Sequence, residues 1–132
     1  MFGKFQQSNI RIEVEAPAKV IGASLLQPAK LSKWLFPQRL ESGMPEKLVS
    51  GLNFTSWTGP VTVQHQVEIA SPNCLRLLLS KGIDGYHEWY WGEGWVQSRL
   101  EGISYLPLNL GQTLSLVKLR QFLTWEQGKF SK

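Results

Sequence analysis

The sequence is poor in the residues that most catalytic and metal sites use. It contains one cysteine, Cys74, and two histidines, His65 and His87, among 132 residues. A single thiol cannot form an internal disulfide, and its place beside the leucine-rich run 75–79 indicates a buried structural thiol rather than an activated nucleophile. Adjacent strand positions such as His87 and Glu88 face opposite ways and cannot share a metal. We therefore predict no metal site, no cofactor and no nucleophilic catalytic pair.

Long apolar runs and blocks of like charge are also absent. No segment approaches the roughly 20 apolar residues that cross a bilayer, and the first residues lack the apolar core of a signal peptide. Fourteen Lys and Arg against ten Asp and Glu give a net charge of +4, but these charges are scattered along the chain. We therefore predict a cytoplasmic protein with no integral membrane segment and no nucleic-acid partner.

The length and composition indicate one domain spanning residues 1–132. A chain of this size buries about 65–70% of its unfolded surface on folding, and its hydrophobic content of 42% is that of an ordinary globular protein. No repeat, low-complexity tract or linker divides it.

The N-terminal segment reads as a strand followed by two short helices. Apolar and charged residues alternate over residues 10–15, which predicts a strand with one buried face. Pro17 suits the first turn of a helix, and apolar spacing continues that helix to about Leu26. Pro28 ends this helix and begins another, which Pro37 stops.

In the central region, residues typical of turns recur about every eight to thirteen residues, a spacing that predicts an antiparallel sheet. In its clearest strand, Val61 to Ile69, the odd-numbered residues share one face and include His65. The other predicted strands are Cys74 to Ser80, Tyr86 to Trp91 and Trp95 to Ser104, with weaker ones near Arg39 to Glu41 and Asn53 to Trp57.

Leu110 to Leu123 is predicted to form an amphipathic helix of three to four turns. Its polar side consists of Gln112, Ser115, Lys118 and Gln121. A helix with one apolar side can lie across one face of a curved antiparallel sheet, and the residues from Glu126 onward are expected to fray. The predicted apolar stripe comprises Leu110, Leu114, Leu116, Val117, Leu119, Phe122 and Leu123.

This order of elements resembles the helix-grip fold of the START-like superfamily, also called SRPBCC, which includes polyketide cyclases/dehydrases and lipid-transport proteins. The first strand of that family runs into an Ala-Pro helix start, similar to Val14-Glu15-Ala16-Pro17 here, and a Trp closes its second helix, similar to Trp34. Gly51, Phe54, the turn Gly59-Pro60-Val61 and the helix Leu119 to Leu123 also fit.

The resemblance implies an α+β protein in which about seven antiparallel strands curve around a long C-terminal helix, with the two short helices closing a cavity. Family members bind largely apolar molecules, and some catalyse cyclisation or dehydration. A chain of this length implies a cavity of about 300–500 Å³. Three hypotheses follow: non-catalytic binding of a lipid, polyketide-like or aromatic molecule; a cyclase/dehydrase with His65 as acid or base; and a protein-interaction or dimerisation module with a filled core.

Two strands contribute candidate ligand contacts. His65 interrupts an aliphatic strand face, so it is expected to contact a ligand or, alternatively, to be a core histidine that a hydroxyl or backbone group satisfies. Trp89 and Trp91 share a strand face with His87 and could form an aromatic pocket wall. The alternation does not decide whether that face or the opposite one points inward.

Three more residues are candidates from their places in the predicted elements. Trp34, with Phe36 nearby, could guard the cavity mouth or plug the core beneath the second helix. Trp57 ends a strand and could line the pocket or its rim. Arg99 could pair with an acidic ligand head group if it points inward, or be solvated if it points outward.

Overall fold

The computed structural model describes residues 3–35 and 38–130, and their side chains through residue 128. Within these residues, seven strands form one antiparallel sheet with the order β1-β7-β6-β5-β4-β3-β2, and three helices pack on it. This architecture confirms the predicted α+β helix-grip class. Phe36 and the predicted helix stop at Pro37 lie outside the described residues. The elements are β1 (Lys4–Glu13), α1 (Ala18–Leu26), α2 (Pro28–Trp34), β2 (Arg39–Leu40), β3 (Asn53–Thr58), β4 (Val61–Ser71), β5 (Cys74–Lys81), β6 (Asp84–Gly92), β7 (Trp95–Ser104) and α3 (Leu108–Phe130).

The sheet is built from consecutive neighbours with one long-range exception. From β2 to β7, consecutive strands pair with one another. Strand β1 instead pairs with β7, from Lys4 opposite Ser104 to Glu13 opposite Trp95. Helices α1 and α2 both contact α3, and α1 also contacts β6. The three helices therefore lie over the same face of the sheet.

The core beneath α1 and α2 is rich in tryptophan. Trp34 of α2 meets Trp89 of β6 edge to face, with ring centroids 6.1 Å apart, and both side chains are buried. Trp91 is buried next to α1, where a Cβ added to Gly22 would lie 3.0 Å from the indole nitrogen. This close approach leaves space for little more than a hydrogen atom at position 22.

Strand β4 departs from the predicted alternation at its end. Val63 and Val67 are buried, and His65 lies on the same face, as expected. A bulge between Val67 and Ile69 then shifts the register, so that Ile69 pairs with Arg76 and is 41% exposed. The prediction that Ile69 shares the inner face is wrong because the extra residue of a bulge reverses the alternation after it.

Helix α3 buries a different stripe from the one predicted. Leu116, Leu119, Phe122 and Leu123 are buried as expected, but Leu110, Leu114 and Val117 are exposed and Gln112 is buried. In the first turns of α3, the side that carries Gln112 packs on β7. The predicted apolar stripe is too wide for all of its residues to face the sheet. Among the described residues, no helix has both the length and the apolar character needed to cross a membrane.

The C-terminal end of α3 is ordered by a contact with α2. The helix continues to Phe130, beyond the predicted end at Leu123. Glu126 is buried, and its carboxylate lies 3.4 Å from the Lys30 ammonium group on α2. Over residues 126–130 the prediction that the chain frays is wrong, because tertiary packing and this ion pair hold the turn at Glu126.

Candidate functional site

A cavity of about 340 Å³ lies between the first half of α3 and the inner face of β4 to β7. This volume falls inside the range expected from chain length. Its walls are mostly apolar and include Leu35, Val63, Leu79, Leu100, Leu108 and Leu114. The polar side chains on its lining are Gln38, Thr58, His65, His87, Gln112, Ser115 and Lys118.

The cavity opens beside the first turns of α3. Leu110, Leu114 and Thr58 line it and are exposed, whereas Lys118 lines it and is partly buried. Leu110 and Leu114 therefore form an apolar rim opposite the turn between β3 and β4. His65 and His87 lie deeper, on the sheet, and each keeps only part of its surface accessible.

His65 is held in one orientation by three neighbours. Its Nε2 lies 2.8 Å from the Oγ of Ser56, a fully buried residue of β3, and the Gln38 amide nitrogen donates to the same Oγ at 2.9 Å. Phe54 stacks flat on the imidazole, with ring centroids 4.5 Å apart. Phe54 pairs directly with His65 across β3 and β4, and Ser56, two residues further along β3, lies on the same face opposite Val63.

His87 is held by a second set of the same residue types. Its Nε2 lies 2.7 Å from the Oγ of Ser98, a fully buried residue of β7. The Gln112 amide nitrogen on α3 donates to Ser98 Oγ at 2.9 Å and to the Ser98 carbonyl oxygen at 2.9 Å. Each cavity histidine therefore belongs to a Gln–Ser–His relay: Gln38–Ser56–His65 and Gln112–Ser98–His87.

The relays indicate where each imidazole carries its proton. In both, the amide nitrogen donates to the serine Oγ, and the histidine Nε2 is the one acceptor that the described residues offer to the serine hydroxyl proton, so we assign Nε2 as the acceptor of that bond. A neutral ring that accepts at Nε2 carries its proton on Nδ1. Both His65 and His87 are thus set up to donate from Nδ1.

Both histidines are neutral at pH 7. Desolvation by burial lowers the pKa of His65 to about 4. The pKa of His87 is lowered to about 3, first by desolvation and then by the nearby charge that a protonated His65 would carry. The two rings therefore lie close enough to disfavour a shared positive charge, and neither supplies a cation to the cavity.

Two buried polar atoms of the relays have no hydrogen-bond partner among the described residues: Nδ1 of His65 and Oε1 of Gln112. A buried polar atom without a partner costs about 1–3 kcal/mol. The site therefore retains one donor and one acceptor that the protein itself does not use. The third such atom, Nε1 of Trp91, lies in the core beneath Gly22.

Of the residues singled out from the sequence, His65 lines the cavity and the tryptophans do not. Trp34 is buried and donates from Nε1 to the Ser24 carbonyl oxygen at 3.0 Å, so it plugs the core. Trp89 and Trp91 point inward with His87, but they are buried beneath α1 and α2 and are not part of the lining. All three candidate ligand contacts therefore follow the alternative of core packing and are corrected to core residues.

Trp57 and Arg99 lie on the outer face of the sheet. Ser56 and Ser98 occupy the neighbouring inward positions, and successive strand residues face opposite ways. Arg99 is 47% exposed, and its guanidinium lies 4.0 Å from the Glu101 carboxylate, which is also on the outer face. Of the alternatives left open by the sequence, Arg99 follows the outward, solvated one, and neither Arg99 nor Trp57 is among the residues that line the cavity.

Sequence reasoning gave no site role to Gln112, Ser56 or Ser98. Gln112 was assigned to the solvent side of α3 because it lies opposite the apolar stripe. The two serines interrupt strand faces that are otherwise apolar, and this signal could have found them. His87 was considered as a metal ligand and as a neighbour of tryptophans, but not as a ligand contact in its own right. Among the described residues, no group of three or more His, Cys, Asp or Glu side chains could hold a metal ion.

No protein-family model and no curated protein matches this sequence. Solved structures share its fold at low sequence identity. Protein CV1439 from Chromobacterium violaceum has a TM-score of 0.73 and 17% identity, over 89% of this chain and 96% of that one. The Aha1 dimer from Colwellia psychrerythraea has a TM-score of 0.66 and 15% identity, over 89% of this chain and 96% of that one.

DynU16, from the dynemicin biosynthetic locus, is similar over part of its length. Its TM-score is 0.68 at 15% identity, and the match covers 89% of this chain but 47% of DynU16. At these identities the likenesses show a common fold and nothing of its use.

Proposed function

We propose that the chain is a START-like (SRPBCC), cytoplasmic binding protein that encloses a small, largely apolar molecule between the sheet and α3. The observation that carries this proposal is a cavity of about 340 Å³ with apolar walls and two oriented, neutral histidines on its inner side. Its volume is at the lower end of ligand pockets, and mostly apolar walls with a few placed polar groups are typical of such sites.

The two relays support a ligand role because they hold two imidazoles in fixed orientations at the cavity. Ser56 and Ser98 are fully buried, Gln112 is 2% exposed, and all three take part in the hydrogen bonds that orient an imidazole. Apolar residues of similar size would fill the same positions without unpaired polar atoms. Supporting hydrogen bonds of this kind are typical of sites whose side chains must hold one direction.

Native mass spectrometry of the protein purified from its own host, before and after denaturing extraction, tests the proposal. We expect a small molecule that survives purification of the wild type. The variant Leu79→Phe, which adds volume to the cavity wall, should lose it. Ile69→Phe, a similar enlargement on the exposed side of β4, should retain it.

The proposal fails if the wild type carries no small molecule and apolar probes added in solution do not raise its melting temperature. A molecule retained equally by Leu79→Phe and Ile69→Phe would place the binding elsewhere and contradict the cavity assignment. Circular dichroism of both variants checks that each is folded before the comparison is made.

A second candidate function is an enzyme of the cyclase or dehydrase type. The observation that favours it is that His65 does not stand alone, since His87 and Gln112 also line the cavity. A neutral imidazole that donates from Nδ1 could polarise a substrate carbonyl oxygen. Incubating the retained molecule with fresh protein separates the two functions: loss of one water or a new ring in the product indicates catalysis, and an unchanged molecule indicates binding.

The third hypothesis was an interaction module with a filled core. The cavity argues against the filled core, while the exposed Leu110, Leu114 and Val117 on α3 keep a homodimer as a proposal. Native mass of the intact protein tests it. A monomer at all concentrations measured would exclude the dimer.

A further inference from the structure

The second relay is centred on one buried serine and lines the cavity with its other two members, His87 and Gln112. Gln112 Nε2 and His87 Nε2 both reach the Oγ of Ser98, at 2.9 Å and 2.7 Å, and both side chains line the cavity. The glutamine and the histidine are therefore neighbours, one on the helix and one on the sheet. A polar ligand group in the cavity between these two side chains could contact both.

These two side chains offer one donor and one acceptor. With Nε2 assigned as the acceptor from Ser98, the ring proton of His87 is placed on Nδ1, and no hydrogen bond within the described part of the chain involves that atom. Oε1 of Gln112 is buried and has no partner among the described residues. A group that accepts from an imidazole N–H and donates to an amide oxygen would satisfy both atoms.

The lining offers little to a charged head group on this side of the cavity. No carboxylate lines the cavity in the ranges 3–35 and 38–128, and its one ammonium group there, Lys118, is on α3 near the mouth. An anion beside Ser98 would meet only neutral donors, and an ammonium group would find only one amide oxygen. Removing either ion from water without a counter-charge is costly.

We propose that the cavity selects an apolar molecule with an uncharged hydroxyl head, and that this head lies between His87 and Gln112. The hydroxyl oxygen accepts from His87 Nδ1–H, and the hydroxyl hydrogen is donated to Gln112 Oε1. The apolar remainder extends past Leu100 and Leu108 toward the rim at Leu110 and Leu114. This inference rests on the proposed binding function and adds the chemistry of the head group.

A matched series of probes tests the head-group choice on the wild-type protein at pH 7. We would measure displacement of a fluorescent naphthylamine dye by 1-octanol, octanoate, octylammonium and octane, which share an eight-carbon chain. We expect 1-octanol to bind about tenfold more tightly than either ion, the difference that one buried hydrogen bond commonly makes. We also expect it to bind more tightly than octane.

Each other result has a definite meaning. If octanoate binds as tightly as 1-octanol or more so, the head lies near Lys118 and the inference is overturned. If octylammonium or octane binds as tightly as 1-octanol, the inference is also overturned, because the relay would then give no preference for a hydroxyl group. If the dye and all four probes fail to bind, the proposed binding function fails and not only its head-group chemistry.

A pair of glutamine variants locates the head group. Gln112→Leu removes the buried acceptor, and we expect it to reduce the preference for 1-octanol over octane about tenfold. Gln97→Leu is the matched control, because Gln97 lies on the outer face of β7 and hydrogen-bonds Asn9. An unchanged preference in a folded Gln112→Leu protein would contradict the placement of the head beside Ser98.

Discussion

Gln112 and Ser98 are joined by two hydrogen bonds from one amide nitrogen, at 2.9 Å to the serine hydroxyl and 2.9 Å to its carbonyl oxygen. These bonds attach α3 to the central part of β7 beside the cavity. The same hydroxyl also hydrogen-bonds His87. This one buried serine therefore links the position of α3 on β7 to the orientation of the His87 imidazole.

Removing the Ser98 hydroxyl should destabilise the fold more than its size suggests. Ser98→Ala leaves His87 Nε2 without its partner and removes one of the two bonds to Gln112, so we expect the free energy of unfolding to fall by about 1–3 kcal/mol. Ser80→Ala, on an exposed position of β5, is the control and should change it by less than about 0.5 kcal/mol. Urea denaturation measures both, and equal losses would contradict the coupling.

Stability should decrease as the pH falls below the ordinary pKa of histidine. The folded pKa values of about 4 for His65 and about 3 for His87 lie below the ordinary 6.5, so the unfolded chain binds protons first. The stabilisation is complete above about pH 6.5 and is lost progressively as the pH falls through 4 and 3. By linkage, His65 alone should account for a loss on the order of 3 kcal/mol.

Urea denaturation between pH 7 and pH 4 tests this dependence. Carboxylates also titrate toward the acid end of this range, so the comparison is with His65→Gln, which removes one imidazole. We expect the variant to lose less stability than the wild type between pH 6.5 and 4.5. Parallel curves for the two proteins would show that His65 titrates normally in the folded state.

Substitutions at Trp34 and Trp57 compare the stability contribution of a core tryptophan with that of a tryptophan on the outer face of the sheet. Trp34→Phe removes the bond from Nε1 to the Ser24 carbonyl oxygen and part of the contact with Trp89, so we expect a loss of about 1–3 kcal/mol in unfolding free energy. Trp57→Phe changes a half-buried ring on the outer face of the sheet and should cost less than about 1 kcal/mol. Ligand binding should survive in the folded form of both variants. A larger loss for Trp57→Phe would contradict these placements.

The end of α3 should depend on Glu126. Glu126→Ala removes the carboxylate that pairs with Lys30, and we expect faster amide hydrogen exchange in the last turns of α3. Thr124→Ala, an exposed position one turn away or less, is the control. Unchanged exchange in Glu126→Ala would mean that apolar packing alone holds the end of the helix.

Local patterns predicted the elements well where one face is buried throughout. Pro17 and Pro28 mark the starts of α1 and α2 to within a residue because proline suits only the first turn of a helix. Strand alternation put His65 on the inner side of β4. The same rule failed at Ile69, because a bulge depends on the partner strand and leaves no trace in the alternation itself.

The candidate site was predicted only in part, because its members come from distant parts of the chain. His65 could be found from β4 alone. Gln38, Ser56, Ser98 and Gln112 acquire their roles only when β3 pairs with β4 and α3 packs on β7. Arg99 and the tryptophans were chosen for their chemistry. Arg99 and Trp57 face outward, whereas Trp34, Trp89 and Trp91 are buried in the core away from the cavity.

The sequence by itself determined the order of strands and helices and the inward direction of His65, because periodicity and proline act locally. Only the tertiary structure decided that β1 joins β7, that Trp89 and Trp91 face inward, and that α3 turns Gln112 rather than Leu110 toward the sheet. These choices depend on contacts between residues far apart in the chain, where burial and hydrogen bonding outweigh the local pattern.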